Sequence, residues 1–346
     1  MRFYFSILLL LSLTYSFSQT ASPDSGLFNQ LKTEFNQFEQ EHGHYIETKN
    51  GRMHYLTWGR PTGKTLVWIH GSYSNAYEFY QFADSFARDG YFIIAIDYFG
   101  HGLTPFPKGD YTIHHVADDI RFLLDHLKIR KTVIGGWSRG GSIATAFYNA
   151  YPSYVSGIIL EDGGSVAWAK MDHRESIEEM SAKLENVFRE DENTSGKGFS
   201  NQLQAVDQVT NLENKGRVFY ALASVRQVTD GKWQHNPGVT EQLGESSVES
   251  FLNILYRPFS SPHAFGVSTL LLDPFVVYRN LGVPLLILDP VSKNDQFNFE
   301  EENKKLKEQH PGLVTHKIYN NTSHGLKFQR PGEFIKDVRT FLEEVK

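Results

Sequence analysis

The sequence predicts an α/β protein in which a mostly parallel sheet is covered by helices on both faces and is interrupted by a helical insertion. Strand-like and helix-like segments alternate along residues 65–160 and again along 283–345, and the strand segments are continuously apolar. Continuous apolar runs are typical of parallel strands that are buried on both faces. Between these two parts, residues 164–266 show helical patterns and no convincing strand. This combination predicts a sheet with a helical cap.

The N-terminus has the pattern of a secretory signal peptide. It combines a positive start at Arg2, an apolar run over residues 3–13, and small residues at Ser16 and Ser18, the −3 and −1 positions of a cleavage site. The alternative is an uncleaved membrane anchor, but a spanning helix needs about 20 apolar residues and this run is shorter. We therefore expect a protein that is exported to the periplasm or secreted.

Composition excludes several other classes of protein. The chain has 346 residues, of which 40% are hydrophobic and 21% charged, which is a globular composition. It has no cysteine, which excludes disulfides, thiolate nucleophiles and cysteine-ligated metals. The formal charge of 34 − 40 = −6 and the lack of a basic block argue against nucleic acid as a partner. We expect a small-molecule substrate, and the sequence does not indicate an oligomeric state.

The elements follow in order along the chain. A polar segment with one helical stripe precedes a hairpin, which Asn50-Gly51 predicts between β-rich runs at 45–48 and 52–58. Strands are predicted at 65–70, 91–98, 131–135, 154–160, 283–288 and 313–319, and helices at 76–88, 113–127, 139–150, 174–189, 201–211, 217–225, 248–256, 300–309 and 331–345. The predicted units are the signal peptide (1–18), the N-terminal segment (19–44), the first part of the core (45–163), the cap (164–266) and the second part of the core (267–346).

Residues 136–140 (GWSRG) form a G-x-S-x-G pattern centred on Ser138. A predicted strand leads directly into this pentapeptide and a predicted helix leads directly out of it. That context is typical of a nucleophile elbow, where a strained turn exposes the serine hydroxyl. The glycines keep the positions before and after the serine small, so that the strand and the helix approach each other.

With this motif the chain resembles the α/β-hydrolase superfamily, specifically its lidded serine hydrolases. Three further motifs appear in the order that the family has them: residues 70–72 (HGS), 97–102 (DYFGHG) and 323–325 (SHG). The resemblance covers about residues 45–346. It implies that Ser138 is the nucleophile, that His324 is the base, and that the backbone N–H groups of Ser72 and Arg139 form the oxyanion hole. His70 and the 97–102 loop are expected to be structural.

The resemblance leaves three candidates for the acid that orients the histidine. Asp295 is preferred, because most of the family takes the acid from the loop after the strand predicted at 283–288. Asp289, directly after that strand, is an alternative. Some members take the acid from the end of the strand after the elbow, where Asp162 stands.

A serine at the elbow implies a particular chemistry within the family. Relatives that open epoxides carry aspartate there, whereas serine implies an acyl-enzyme. The expected function is hydrolysis of carboxylic esters of small or medium apolar substrates, because the cap is rich in aromatic residues. No metal or cofactor is implied. The alternatives on the same fold are an aminopeptidase or amidase, a lactonase, a carbon–carbon bond hydrolase, or a non-catalytic binding protein.

Overall fold

The computed structural model describes residues 24–172, 176–194, 198–293 and 297–345. The predicted signal peptide and Asp295 therefore lie outside the described residues. Within these ranges, no helix is both long enough and apolar enough to cross a membrane.

One eight-stranded sheet dominates the fold. When the strands are numbered along the chain, they lie side by side in the order 1, 2, 4, 3, 5, 6, 9, 10. The pairings of strand 1 with 2 and of strand 2 with 4 are antiparallel, and the rest are parallel. The mostly parallel sheet that the sequence predicted is thereby confirmed. The strands are β1 (Gly43–Glu47), β2 (Arg52–Trp58), β3 (Lys64–Ile69), β4 (Tyr91–Ile96), β5 (Thr132–Trp137), β6 (Val155–Glu161), β7 (Val225–Gln227), β8 (Trp233–His235), β9 (Leu285–Val291) and β10 (Val314–Asn320).

Helices lie on both faces of this sheet and fill the insertion. Those that frame the sheet are α1 (Ser25–His42), α2 (Tyr80–Arg88), α3 (Ile113–His126), α4 (Arg139–Ala150), α13 (Glu300–Gln309), α14 (Leu326–Gln329) and α15 (Pro331–Glu344). Those between β6 and β9 are α5 (Ala169–Asp172), α6 (Ile177–Thr194), α7 (Gln202–Val209), α8 (Lys215–Ser224), α9 (Val239–Leu243), α10 (Val248–Tyr256), α11 (Ala264–Leu271) and α12 (Pro274–Tyr278).

Strand β4 shows why the strands are continuously apolar. Ile93 and Ala95 belong to one hydrophobic core, whereas Ile94 and Ile96 belong to the other. Successive side chains of a strand point to opposite faces of the sheet, and here helices bury both faces. The apolar run is therefore required by two cores, not one.

The chain leaves the sheet after β6 and returns to it at β9, which is the neighbour of β6. The expectation that this insertion has no strand is wrong in one detail, because β7 and β8 form a small antiparallel pair. Each has only three residues, which is too short to show a periodic pattern in the sequence. The Asn50-Gly51 hairpin is confirmed, since β1 pairs with β2 across it.

Candidate active site

Ser138 lies at the turn between β5 and α4, and its backbone is strained. Its φ is 56° and its ψ is −122°, a combination that serine adopts only where the surrounding structure imposes it. A Cβ on Gly136 would lie 2.3 Å from the carbonyl carbon of Gly140, and one on Gly140 would lie 2.1 Å from the carbonyl oxygen of Ile69. The turn therefore requires glycine on both sides of the serine, as the motif predicted.

His324 follows β10, and its partner is the carboxylate directly after β6. The Nδ1 atom of His324 lies 2.6 Å from Oδ2 of Asp162, and both side chains are buried. Asp162 was an alternative in the sequence analysis, on the ground that some relatives place the acid there. It stands in a tight turn with a φ of 46°, which directs its side chain away from the strand and toward the histidine.

The other two candidate acids are not seen next to His324. The Oδ2 atom of Asp289 lies 2.6 Å from Nε2 of His316 and accepts a hydrogen bond from Nδ2 of Asn303 at 2.9 Å. Asp289 therefore belongs to a second buried Asp–His pair, and the structure places it on His316 rather than on His324, contrary to the alternative that the sequence left open. Asp295 lies outside the described residues.

Aromatic rings surround the imidazole of His324. The ring of Trp137 lies 5.0 Å away, and that of Phe297 packs edge-on at 4.6 Å. The indole Nε1 of Trp137 donates a hydrogen bond to the backbone oxygen of His324 at 2.7 Å. Burial, together with the positive charge of Lys327, lowers the pKa of His324 below its ordinary value. The imidazole is therefore neutral at neutral pH, which is the state in which it can accept a proton.

The two atoms between which a proton would move are not engaged elsewhere. The Oγ atom of Ser138 and the Nε2 atom of His324 are both buried, and neither has a hydrogen-bond partner among the described residues. Buried polar atoms are nearly always paired, so unpaired ones on these two side chains are notable. They are therefore not hydrogen-bonded to each other in this structure, and each is without a partner that a substrate would have to displace.

Two backbone N–H groups are candidates for an oxyanion hole. Ser72 follows β3 in a buried loop, and Arg139 is the first residue of α4. Neither N–H makes a hydrogen bond to another described residue. Two hydrogen bonds hold the loop of Ser72 in place. The carbonyl oxygen of Gly71 accepts one from the ring of His70 at 2.7 Å and one from the hydroxyl of Tyr98 at 3.1 Å.

The 97–102 loop has the structural role that the sequence analysis gave it. The Asp97 carboxylate accepts hydrogen bonds from the backbone N–H of Ala76 at 2.6 Å and of Leu103 at 2.8 Å. It also lies 2.7 Å from Nδ1 of His54. These contacts tie the loop to its neighbours, which is a structural role.

A buried group of three charges lies behind the histidine, and the sequence analysis did not find it. The Nζ atom of Lys327 lies 3.1 Å from Glu161 and 3.5 Å from Glu78, and all three side chains are inaccessible to solvent. The same ammonium lies 3.7 Å from the centre of the Trp137 ring. Burial raises the pKa of Glu161 to about 7, although the charge of Lys327 opposes this.

The insertion reaches the site through Glu245, which sequence reasoning also missed. One carboxylate oxygen of Glu245 lies 2.7 Å from Nη2 of Arg139, and the other accepts a hydrogen bond from the hydroxyl of Tyr73 at 2.6 Å. Glu245 thus bridges the residue after Ser138 and the residue after Ser72. Nothing in the local sequence around it distinguishes it from other surface-type glutamates, since only the fold brings it here.

The described residues contain no group of three or more acidic or histidine side chains arranged to hold a metal ion. A cavity of about 350 Å³ lies where the 106–111 loop meets the insertion. One of its walls is Phe265, whose ring stacks on Tyr98 at 5.8 Å. The hydroxyl of Tyr98 in turn donates to the carbonyl oxygen of Gly71, so these two rings connect the cavity wall to the loop of Ser72.

A family model described as the alpha/beta hydrolase fold matches residues 64–331. Among curated proteins, an epoxide hydrolase 1 from Caenorhabditis elegans is 31% identical over 121 residues, which is 33% of this chain and 29% of that protein. The match therefore spans under a third of the relative's length.

Solved structures match over more of the chain. An E-2-(acetamidomethylene)succinate hydrolase aligns with a TM-score of 0.62 at 18% identity, covering 87% of this chain and 98% of its own. The carboxylesterase CesB (YbfK) from Bacillus subtilis aligns with a TM-score of 0.57 at 15% identity, covering 92% and 98%. At these identities the likeness concerns the fold.

Proposed function

The chain belongs to the alpha/beta hydrolase fold family, and we propose that it is a serine hydrolase that cleaves carboxylic esters of small or medium apolar substrates. Its hydrolase fold is shared with esterases and with other hydrolases. The curated epoxide hydrolase is a relative, but Ser138 stands where epoxide-opening relatives carry aspartate. A hydroxyl nucleophile favours an acyl-enzyme over an alkyl-enzyme.

One observation carries this proposal: the buried contact of 2.6 Å between His324 and Asp162, at the same edge of the sheet as Ser138. A serine hydroxyl is a weak nucleophile unless a base removes its proton. The carboxylate of Asp162 holds the proton of His324 on Nδ1, which leaves Nε2 with its lone pair. This is the tautomer that a base facing Ser138 needs.

The reaction would follow from these roles. Ser138 Oγ attacks the ester carbonyl carbon while Nε2 of His324 takes the hydroxyl proton, and the carbonyl oxygen becomes an oxyanion facing the N–H groups of Ser72 and Arg139. Collapse expels the alcohol oxygen, which receives that proton. Water then attacks the acyl-enzyme by the same route and releases the acid. Asp162 stabilises the imidazolium at each stage.

Two further parts of the proposal concern substrate and location. The insertion supplies aromatic and carboxylate contacts at Tyr73 and Arg139 and would shield the acyl-enzyme from bulk water, as a cap does. We also propose that the protein is exported and that its mature form begins at Gln19, on the basis of the N-terminal pattern.

The test is active-site labelling of the chain from Gln19 onward with a fluorophosphonate, with p-nitrophenyl butyrate as the activity substrate. Ser138→Ala and His324→Ala should abolish both labelling and turnover. His316→Ala is a matched control, because His316 also pairs with a buried aspartate at 2.6 Å but is placed away from the serine. Labelling that survives Ser138→Ala, or a folded wild-type protein that neither labels nor turns over, would refute the proposal.

A further inference from the structure

The side chain of Arg139 has more hydrogen-bonding capacity than the protein uses. Its Nη2 atom binds Glu245 at 2.7 Å, but Nε and Nη1 are buried and have no hydrogen-bond partner among the described residues. The side chain is only 11% exposed, so water does not replace the missing partners freely. A buried guanidinium with unpaired N–H groups is costly to a fold and points to a ligand.

The position of Arg139 places these N–H groups within the candidate site. Arg139 directly follows Ser138, and its guanidinium shares Glu245 with Tyr73, which directly follows Ser72. Glu245 therefore links the guanidinium to the loop of Ser72. The unpaired atoms of Ser138 and His324 are buried as well, so the unpaired N–H groups of Arg139 adjoin a residue whose own polar atom has no partner in the described part of the chain.

The groups around Arg139 keep its guanidinium positively charged. Burial opposes the charge of Arg139, yet the carboxylate of Glu245 outweighs this and raises the pKa of Arg139. The negative charge of Glu245 is shared, since the hydroxyl of Tyr73 also donates to it. The nearby imidazole of His101 has a lowered pKa because of its burial and adds no charge. The N-terminus of α4, with its positive dipole end, lies at the same place.

We propose that Arg139 binds a carboxylate on the acyl part of the substrate, so that the enzyme prefers short esters of dicarboxylic acids over neutral esters of the same shape. This inference rests on the proposed ester hydrolysis and narrows its substrate class. The guanidinium fork matches a carboxylate, and Glu245 holds it in place from the insertion. A site with buried hydrogen-bond donors discriminates against a substrate analogue that lacks the matching acceptor, because the donors are then left unpaired.

The test compares two esters that are nearly equal in shape, monoethyl succinate and ethyl 4-methylpentanoate, by titration of the acid released. The wild type should favour the hemiester in kcat/KM by about tenfold to a hundredfold, the usual range for a hydrogen bond to a charged group. The readout is the ratio of the two kcat/KM values, hemiester over neutral ester. Arg139→Met should lower this ratio toward one, whatever the substitution does to overall activity. Arg139→Lys should keep part of the preference. Glu245→Gln removes a competing charge and should raise the ratio.

Binding to the Ser138→Ala protein gives a second readout that does not depend on turnover. Calorimetry should detect monoethyl succinate more strongly than ethyl 4-methylpentanoate, and the difference should vanish in Ser138→Ala/Arg139→Met. A wild type that hydrolyses both esters equally overturns the inference and leaves ester hydrolysis standing. A protein that hydrolyses neither, yet binds the hemiester through Arg139, keeps the carboxylate site and overturns the proposed reaction. Equal binding of both esters by Ser138→Ala overturns the inference in every case.

Discussion

Replacing Asp162 with asparagine should remove most of the catalytic power of the enzyme while leaving the fold in place. Asparagine has nearly the shape of aspartate, but its NH₂ group would face Nδ1 of His324 at the present 2.6 Å contact. An N–H facing Nδ1 favours the tautomer in which Nδ1 accepts and Nε2 carries the proton. The imidazole then has no lone pair with which to take the proton of Ser138.

The magnitude follows from this loss of the base. A wrong tautomer in a Ser-His-Asp arrangement lowers kcat by about 10⁴-fold, equivalent to about 5 kcal/mol in the activation free energy. The assay is p-nitrophenyl butyrate turnover under saturating substrate, with the thermal midpoint measured on the same samples. KM should change far less than kcat, because Asp162 acts through His324 and not through contact with the substrate.

The chain supplies its own control for this experiment. Asp289 and His316 form a second buried pair at 2.6 Å, so Asp289→Asn makes the same chemical change with a comparable structural cost. It should lower stability by about 1–3 kcal/mol, as expected for a disturbed buried hydrogen bond, and keep a kcat near that of the wild type. Asp295→Asn should also retain activity. The reasoning is refuted if Asp295→Asn loses turnover and Asp162→Asn keeps it.

Two further predictions concern pH. Because burial and the charge of Lys327 lower the pKa of His324, the acidic limb of the kcat/KM profile should lie below the ordinary histidine value of about 6.5; a limb above 7 would contradict this account of the base. Burial lowers the pKa of His54, but its contacts with Asp97 and Glu39 outweigh burial and raise this pKa to about 9. Folding therefore gains stability from His54 that is fully present below about pH 6.5 and is lost as the pH rises through about 9, a total of about 3 kcal/mol. Urea unfolding at pH 6.5 and 9.5 should show this loss in the wild type and a smaller one in His54→Gln, and equal losses in both proteins would assign the pH dependence to other groups.

The sequence predicted the sheet because its strands obey a strong local requirement. Every residue of β4 is buried, so its composition alone marks it as a strand with helices on both sides. The elbow was equally readable, because its motif lies between a strand pattern and a helix pattern. Gly136 is demanded by a sequence neighbour, Gly140, whereas Gly140 is demanded by the carbonyl oxygen of Ile69 on the adjacent strand β3. Both features are local, or become local once the alternation of strands and helices is recognised.

The proposed acid, Asp162, was harder to predict, for a physical reason. Asp162 and Asp289 follow or end neighbouring parallel strands, β6 and β9, so both reach the same edge of the sheet. Strand order therefore does not distinguish them. The distinction depends on side-chain direction: the turn at Asp162 has a φ of 46°, whereas Asp289 lies within β9 and faces His316 on β10. Neither direction is visible in residue type or spacing.

The end of β6 explains how residues so distant in the chain are held together. The carbonyl oxygen of Glu161 accepts a hydrogen bond from the backbone N–H of Ser138 at 2.9 Å. Its side chain accepts one from the backbone N–H of Lys327, also at 2.9 Å, and pairs with the Lys327 ammonium at 3.1 Å. The next residue, Asp162, binds His324.

Two consecutive residues, Glu161 and Asp162, therefore connect the turns of Ser138 and His324 to one strand end. Lys327 stands three positions after His324, so the histidine turn is fixed at two points rather than one, and each contact restrains rotation of the turn about the other. A reaction that needs atoms placed within a fraction of an ångström depends on such supporting contacts. Burial alone would make Glu161 hard to ionise, and the same Lys327 charge and hydrogen bonds that hold the histidine turn oppose this effect.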